Sequence, residues 1–102
     1  MVPPNENEED GDEPKPRTRV LHPQFEADTA YWRRADPKLA KRLRRIIDAV
    51  LADPFDGIAK PEPLRGDFAG YWSRRLTQEH RIIYRVTEKT VEFFTARSHY
   101  SR

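Results

Sequence analysis

The sequence predicts an α+β domain in which an N-terminal strand and a helical hairpin pack on one face of a small, mostly antiparallel sheet. Two patterns along the chain predict this fold. Apolar residues recur at helical spacing between positions 23 and 53, whereas aromatic and β-branched residues dominate between positions 70 and 98. The length of 102 residues is sufficient for one domain and too short for two.

The first half of the chain predicts one strand followed by two helices. Residues 18–21 form a β-prone run, and Pro23 suits the first turn of a helix that extends to about residue 34. Asp36 then provides the N-cap and Pro37 the first residue of a second helix, which ends at Asp53. The apolar stripe of this second helix consists of Leu39, Leu43, Ile46, Ile47, Val50 and Leu51.

The second half of the chain predicts extended structure. Residues 60–64 are expected to be extended, because prolines at 61 and 63 disfavour the helical region for the residue before each of them. Residues 70–77, 80–86 and 90–98 predict three antiparallel strands joined by short turns. The turn at Glu88-Lys89 has no strong turn residue, so the sequence does not determine its geometry.

Charge is unevenly distributed along the chain. Residues 1–16 contain six acidic residues, one basic residue and almost nothing apolar, which predicts a disordered acidic tail. Residues 17–102 contain 18 basic and 11 acidic residues and are predicted to form the folded domain. A basic domain of this kind favours polyanions as partners, with nucleic acid first.

Composition excludes several classes of protein. The chain has no cysteine, which excludes disulfide scaffolds, cysteine-ligated metal sites and thiol nucleophiles. No stretch approaches the roughly 18 consecutive apolar residues of a membrane span, and the acidic N-terminus is unlike a signal peptide. We therefore expect a cytoplasmic protein with no membrane contact.

Four residues in the second half, Glu62, Arg81, His99 and Tyr100, stand out as chemically useful. Strand alternation places Arg81 on the open face of the sheet, opposite the core-facing Tyr84. Cleavage of RNA needs a base for the 2′-hydroxyl, an acid for the leaving 5′-oxygen and a cation for the charge at phosphorus. A carboxylate, an imidazole and an arginine fit these needs without a metal or cofactor. Taken alone, the same residues also fit solvated side chains and a frayed C-terminus. His80, by contrast, shares the core-facing side of its strand and is interpreted as structural.

Five segments carry a resemblance to a known family. In chain order they are FEADTAYW at 25–32, DPKLAKRLRRIIDAVLADPF at 36–55, DPFDGIAKPEPLRG at 53–66, GYWSRRLTQEHRIIYRV at 70–86 and ARSHY at 96–100. Together they resemble the YoeB/Txe toxins of the RelE–ParE superfamily over about residues 18–100. The resemblance implies the RelE-like fold and a type II toxin that binds the 70S ribosome and cuts mRNA in the A site.

The resemblance also implies roles for individual residues. Glu62 of the KPEPL segment would be the general base, and Arg81 of the EHR segment would stabilise the phosphate transition state. His99 would be the general acid, and Tyr100 would help to orient the substrate. Arg65, which follows KPEPL, would be a second phosphate contact.

Further RNA contacts and the partners follow from charge together with the resemblance. Besides Arg65, the candidate RNA contacts are Arg74 and Arg75 on a strand and Lys41, Arg42, Arg44 and Arg45 on the second helix. A YefM-like antitoxin is expected to neutralise the toxin with a disordered segment that folds over the basic domain. Operator DNA would be bound only through this antitoxin. The family also forms toxin dimers, so a homodimer is a further expectation.

Two other functions stay open. One is inhibition of DNA gyrase, as in ParE-like toxins, although the set Glu62, Arg81, His99 and Tyr100 argues against it. The other is a degenerate member that binds only ribosome or antitoxin. The chain continues past Tyr100 with Ser101-Arg102, whereas family chains usually stop at the tyrosine, and this extension could perturb the site.

Overall fold

A computed structural model of the protein describes residues 16–98. Within this part of the chain, two helices and five strands form the fold, with one turn of 3₁₀ helix at Gly66–Phe68. The helices are α1 (Pro23–Ala35) and α2 (Pro37–Ala52). The strands are β1 (Thr18–Leu21), β2 (Glu62–Pro63), β3 (Tyr71–Arg75), β4 (Arg81–Val86) and β5 (Thr90–Thr95). The predicted acidic tail, except for Pro16, and the residues His99, Tyr100, Ser101 and Arg102 lie outside the described residues.

The strands form one mixed sheet in the order β1-β5-β4-β3-β2. β1 pairs with β5 in parallel, and the other neighbouring strands are antiparallel. The helical hairpin contributes its apolar stripe to a core that it shares with one face of the sheet. The predicted α+β architecture is therefore confirmed, including the order of its elements. Neither helix of the described part is long and apolar enough to cross a membrane.

The helical hairpin forms where the sequence predicts it. The side chain of Asp36 accepts a hydrogen bond from the backbone N–H of Leu39 at 3.2 Å, and Pro37 occupies the first turn of α2. Capping by Asp36 satisfies one of the free N–H groups at the start of that helix. The same residue ends α1, because its own backbone N–H donates to the carbonyl oxygen of Trp32. One aspartate therefore separates the two helices with almost no intervening loop.

The segment before β2 differs from the prediction. Lys60 is not extended, since it has a φ of 53° and Ala59 has a φ of 67°. Pro61 disfavours the right-handed helical region for Lys60, and the chain uses the left-handed region instead. This reversal allows the carbonyl oxygen of Ala59 to accept a hydrogen bond from the N–H of Arg75 at 2.7 Å. The loop is thereby attached to the end of β3 before the chain enters β2.

Two other details shape the sheet. The sequence did not determine the geometry of the turn at Glu88-Lys89. There the hydroxyl of Thr87 accepts hydrogen bonds from the N–H groups of Lys89 and Thr90, and these bonds hold the turn without a glycine or asparagine. β5 ends at Thr95, earlier than the predicted residue 98. A register shift between β4 and β5 makes Phe94 the extra residue of a bulge.

Candidate active site

The open face of the sheet contains a groove of about 750 Å³ that borders β2, β3, β4 and the end of β5. Glu62 and Arg81 both line it, and a guanidinium nitrogen of Arg81 lies 3.4 Å from a carboxylate oxygen of Glu62. The same nitrogen donates a hydrogen bond at 3.2 Å to the hydroxyl of Ser73. The structure therefore brings together two of the four residues that the sequence singled out.

Strand register explains how these two residues meet. Glu62 pairs with Ser73 across β2 and β3, and Arg81 is the first residue of β4, where it pairs with Arg75. Residues that face one another across an antiparallel pair point to the same side of the sheet. The side chain of Glu62 is 56% exposed and that of Arg81 is 38% exposed. Both groups are accessible to a ligand while Ser73, which is buried, orients the arginine.

His99 and Tyr100 lie outside the described residues, but the segment that leads to them is firmly held. The N–H of Ala96 donates to a carboxylate oxygen of Asp28 at 2.8 Å, and the indole N–H of Trp32 donates to the carbonyl oxygen of Ala96 at 3.0 Å. Ser98 lines the groove. The chain is therefore directed along the groove as far as the residue before His99.

His80 holds the same segment from the other side. Its Nδ1 atom accepts a hydrogen bond from the N–H of Ser98 at 2.9 Å, which requires the tautomer with the proton on Nε2. The ring also makes an edge contact with Trp32, with centroids 4.9 Å apart. The structural role expected for His80 agrees with these contacts.

Sequence reasoning missed the positioning role of Asp28. This carboxylate is 1% exposed and also accepts a hydrogen bond from Gln24 at 2.9 Å. A signal was present, because Asp28 lies on the apolar stripe of α1 between Phe25 and Trp32. A charged residue at such a position is almost always hydrogen-bonded by another part of the protein.

Arg74 corrects one prediction, since it was expected to contact RNA and is instead fully buried. Alternation along β3 turns it toward the helices, away from the groove that Ser73 lines. Its guanidinium donates to the hydroxyl of Tyr84 and to three backbone carbonyl oxygens in the loop after α2, which are those of Asp53, Asp56 and Ile58. Arg74 therefore organises this loop and has no surface to offer to a ligand.

The other basic candidates differ in exposure and in their hydrogen bonds within the protein. Arg42 donates from Nε to the carbonyl oxygen of Leu76 at 2.9 Å, so it is partly engaged in holding α2 to the end of β3. Arg75 is half-buried beside Arg81, and Arg65 is exposed. The other three candidates on this helix, Lys41, Arg44 and Arg45, are exposed.

A second charged cluster lies on the same sheet face and was not predicted. The carboxylate of Glu92 accepts two hydrogen bonds from Arg85, at 3.0 and 3.1 Å, and lies 3.2 Å from Nε2 of His22. The hydrogen bonds from Arg85, followed by the one from His22, hold the pKa of Glu92 below its ordinary value. The same contact with Glu92 raises the pKa of Arg85. This cluster depends on the register between β4 and β5, which the sequence pattern does not reveal.

Within residues 16–98, no group of three or more His, Asp or Glu side chains is arranged to hold a metal ion. The chemistry available from the described residues of this groove is that of an exposed carboxylate and an oriented arginine. This set can bind a phosphodiester and move a proton.

Comparison with known proteins gives consistent matches. The family model described as a YoeB-like toxin of bacterial type II toxin–antitoxin systems matches residues 21–100. Toxin YoeB of Mycobacterium bovis is 49% identical over 73 residues, which cover 72% of this chain and 86% of the relative.

Solved structures agree with this comparison. A YoeB/ParE toxin from Agrobacterium tumefaciens is 39% identical, with a TM-score of 0.75 over 81% of this chain and 99% of its own. YoeB of Staphylococcus aureus is 29% identical with the same TM-score, over 84% of this chain and 100% of its own. The S. aureus protein was solved as a dimer and in a heterotetrameric complex with YefM.

Proposed function

The chain belongs to the YoeB-like toxins of bacterial type II toxin–antitoxin systems, and we propose that it acts as a ribosome-dependent endoribonuclease that cuts mRNA in the A site. The single observation that carries the proposal is the contact between Glu62 and Arg81 in the groove, at 3.4 Å. It supports a site in which a proton acceptor lies beside a phosphate-binding cation.

The proposed reaction uses the RNA as its own nucleophile. Glu62 accepts the proton of a 2′-hydroxyl, whose oxygen attacks the adjacent phosphorus and forms a 2′,3′-cyclic phosphate. The bond from phosphorus to the 5′-oxygen breaks, and His99 donates a proton to that leaving oxygen. Arg81 offsets the negative charge that grows on the phosphate oxygens, and Tyr100 orients the substrate. No step needs a metal or cofactor.

The position of Glu62 favours its use as a base. Its carboxylate is more than half exposed, and its contact with Arg81 is a single long interaction rather than a bidentate pair. Arg81 can therefore turn toward a phosphate while Ser73 continues to hold it. A loosely paired arginine loses little on leaving its carboxylate, so substrate binding is not opposed by a strong internal salt bridge.

Partners are proposed from charge and from the relatives. S. aureus YoeB was solved with YefM, so we propose a YefM-like antitoxin here, with an acidic segment that covers the basic domain. Operator DNA would be bound only through this antitoxin. We propose that the chain also forms a homodimer, as the S. aureus protein does. Two groups of cations are proposed to contact ribosomal RNA or mRNA in the cytoplasm. They are the exposed helix residues Lys41, Arg44 and Arg45, and the residues Arg65 and Arg75.

The test is cleavage of a defined mRNA by the purified full chain, with and without programmed 70S ribosomes, followed by primer extension. The expected result is ribosome-dependent cutting within the A-site codon. Glu62→Gln is expected to reduce the rate by about 100-fold or more, in the range typical of a lost general base. Glu88→Gln, which removes an exposed carboxylate at a remote turn, is the matched control and should cut normally.

The outcomes separate the alternatives. Ribosome binding without cutting would contradict the proposal and favour a degenerate binder. No action on ribosomes, together with inhibition of gyrase supercoiling, would favour a ParE-like function. Cutting that survives in Glu62→Gln would overturn the role of the carboxylate while leaving the endoribonuclease activity in place.

A further inference from the structure

Polar and aromatic side chains both line the groove. Arg81, Ser73 and Ser98 are among the polar ones, where the proposed cleavage takes place. Phe68, from the turn before β3, and Tyr71, the first residue of that strand, are among the aromatic ones. Phe68 is 59% exposed, the highest value among the large apolar side chains of residues 16–98. An exposed aromatic ring inside a groove that also contains a phosphate-binding arginine indicates a binding surface.

Phe68 is held in place by its local backbone. It ends the 3₁₀ turn Gly66–Phe68, and its N–H donates to the carbonyl oxygen of Arg65 at 3.2 Å. Gly66 and Gly70 on either side have φ values of 67° and 93°, a region that other residues rarely adopt. The turn therefore has a defined shape, and it presents the ring of Phe68 toward the groove.

Phe68 packs at one end of a series of contacting rings. Phe68 meets Tyr71 edge-to-face, with centroids 6.0 Å apart, and Tyr71 packs on Phe94 at 5.3 Å. Phe94, the extra residue of the bulge in β5, stacks on His22 at 4.2 Å. The guanidinium of Arg85 lies 5.5 Å from the ring centre of Tyr71. These contacts fix Tyr71, so little side-chain freedom remains to be lost when a ligand binds.

We propose that Phe68 and Tyr71 form a subsite that stacks on one nucleobase of single-stranded RNA, next to the phosphate at Arg81. Exposed aromatic rings combined with nearby cations are the usual means of binding single-stranded RNA without sequence-specific hydrogen bonds. Arg65, which is exposed, immediately precedes the same turn and adds a cation close in sequence to the ring. The subsite rests on the proposed function, because it places a neighbouring base of the same substrate.

The test measures RNA binding rather than cleavage. A labelled hexanucleotide RNA is titrated into the full chain that contains Glu62→Gln, which prevents cutting, and fluorescence anisotropy gives the dissociation constant. Phe68→Leu keeps an apolar side chain but removes the ring, and it is expected to weaken binding about tenfold. Phe68→Trp is expected to bind at least as tightly as the Glu62→Gln chain. Phe55→Leu is the matched control, since Phe55 is 47% exposed, packs on Trp72 and does not line the groove.

Abasic RNA identifies what the ring contacts. Removing one base at a time from the hexanucleotide is expected to reveal one position at which Phe68→Leu no longer weakens binding. Equal affinities for Phe68 and Phe68→Leu, or no measurable RNA binding by the chain, would overturn the subsite. So would a tenfold loss that is the same for every abasic RNA, because the ring would then contact no base.

The binding test and the cleavage test fail independently. Phe68-dependent binding to RNA without any cutting would retain the subsite and overturn the endoribonuclease. Ribosome-dependent cutting, combined with an RNA affinity that does not change in Phe68→Leu, would retain the endoribonuclease and overturn the subsite.

Discussion

The Nδ1 atom of His80 accepts a hydrogen bond at 2.9 Å from the backbone N–H of Ser98, the residue that immediately precedes His99. His80 is also the residue before Arg81, the first residue of β4. One histidine therefore joins the start of the strand that presents the arginine to the segment that leads to the proposed general acid. The two halves of the proposed site, 18 residues apart in sequence, share one hydrogen bond.

Replacement of His80 tests this connection. His80→Ala is expected to lower the rate of mRNA cutting at saturating ribosomes by about 10- to 100-fold, because a displacement of about 1 Å can cost that much. Ribosome affinity should be unchanged. His80→Asn is expected to restore much of the rate, since its side-chain oxygen can accept the same hydrogen bond from Ser98. A loss of activity in both variants that follows a loss of thermal stability would contradict a positioning role.

Geometry as well as charge is expected to matter at Arg81. Arg81→Lys keeps the positive charge but replaces the planar guanidinium that bonds to Ser73 and reaches Glu62. We expect cutting to fall by at least about tenfold with unchanged ribosome affinity. Arg19→Lys, at an exposed site on β1, is the control. Full activity of Arg81→Lys would mean that the arginine acts only as a point charge.

Tyr84 is expected to stabilise the fold through two polar contacts inside the core. Its hydroxyl donates to the carbonyl oxygen of Pro54 at 2.6 Å and accepts from Nε of Arg74 at 3.2 Å. Tyr84→Phe leaves both groups without this partner and should lower the free energy of unfolding by about 1–3 kcal/mol in urea titrations at pH 7. Tyr31→Phe is the control, because within residues 16–98 its hydroxyl does not bond to a loop as that of Tyr84 does.

Alkaline pH gives a second measure of the same side chain. Burial raises the pKa of Tyr84 above its ordinary value of 10.0. A group that resists deprotonation in the folded state contributes stability that is fully present below its unfolded pKa and is lost as pH rises beyond it. The stability of the protein should therefore fall above about pH 10 more steeply than that of Tyr84→Phe. Parallel decline of the two proteins would contradict this assignment.

Acid pH is expected to reveal the contribution of Glu92. Its pKa is lowered in the folded state, so its stabilising effect is present above the ordinary value of 4.5 and is lost as pH falls through the lowered value. Glu92→Gln should therefore be less stable than the parent protein near pH 7, and this difference should shrink toward pH 3. Thermal unfolding followed by circular dichroism measures it, with Glu88→Gln as the exposed control. A difference that does not depend on pH would exclude the charge of Glu92 as its cause.

The basic face of α2 is expected to contribute to ribosome binding in a salt-dependent way. The triple variant Lys41→Gln, Arg44→Gln and Arg45→Gln should weaken ribosome binding and reduce the slope of log affinity against log salt concentration by about 2, as expected for three lost phosphate contacts. Arg33→Gln, a single exposed cation on α1, is the control for general charge. An unchanged slope would mean that this face is only solvated.

Local patterns predicted most of the fold because they have local causes. The Asp36-Pro37 pair starts α2 through a side-chain cap and a preset φ, both of which are visible in two residues of sequence. Alternation along β4 correctly assigned Tyr84 to the core and Arg81 to the open face. The proximity of Glu62 and Arg81, in contrast, depends on two strand registers and could only be expected from the family resemblance.

The errors and omissions share one physical cause. Arg74 and Arg75 are adjacent and chemically identical, and only the register of β3 decides which is buried. Asp28 and Ala96 are 68 residues apart, and no periodicity links a carboxylate on one helix to a backbone amide beyond the last strand. Contacts between distant segments determine which polar groups find hydrogen-bond partners, and these contacts cannot be inferred from a single sequence.

The pairing of β1 with β5 has a consequence for synthesis. The first strand of the described fold has the last strand as its neighbour, and contacts such as those of Arg17 with Thr87 and His22 with Glu92 span 70 residues. Contacts of such high separation close late, because loop-closure entropy opposes them until the distant segment is available. An unfinished chain therefore lacks both the closing strand and the held segment around Ala96. The sheet of the described fold is therefore completed only after β5 has been synthesised, and earlier intermediates lack the neighbour that β1 requires.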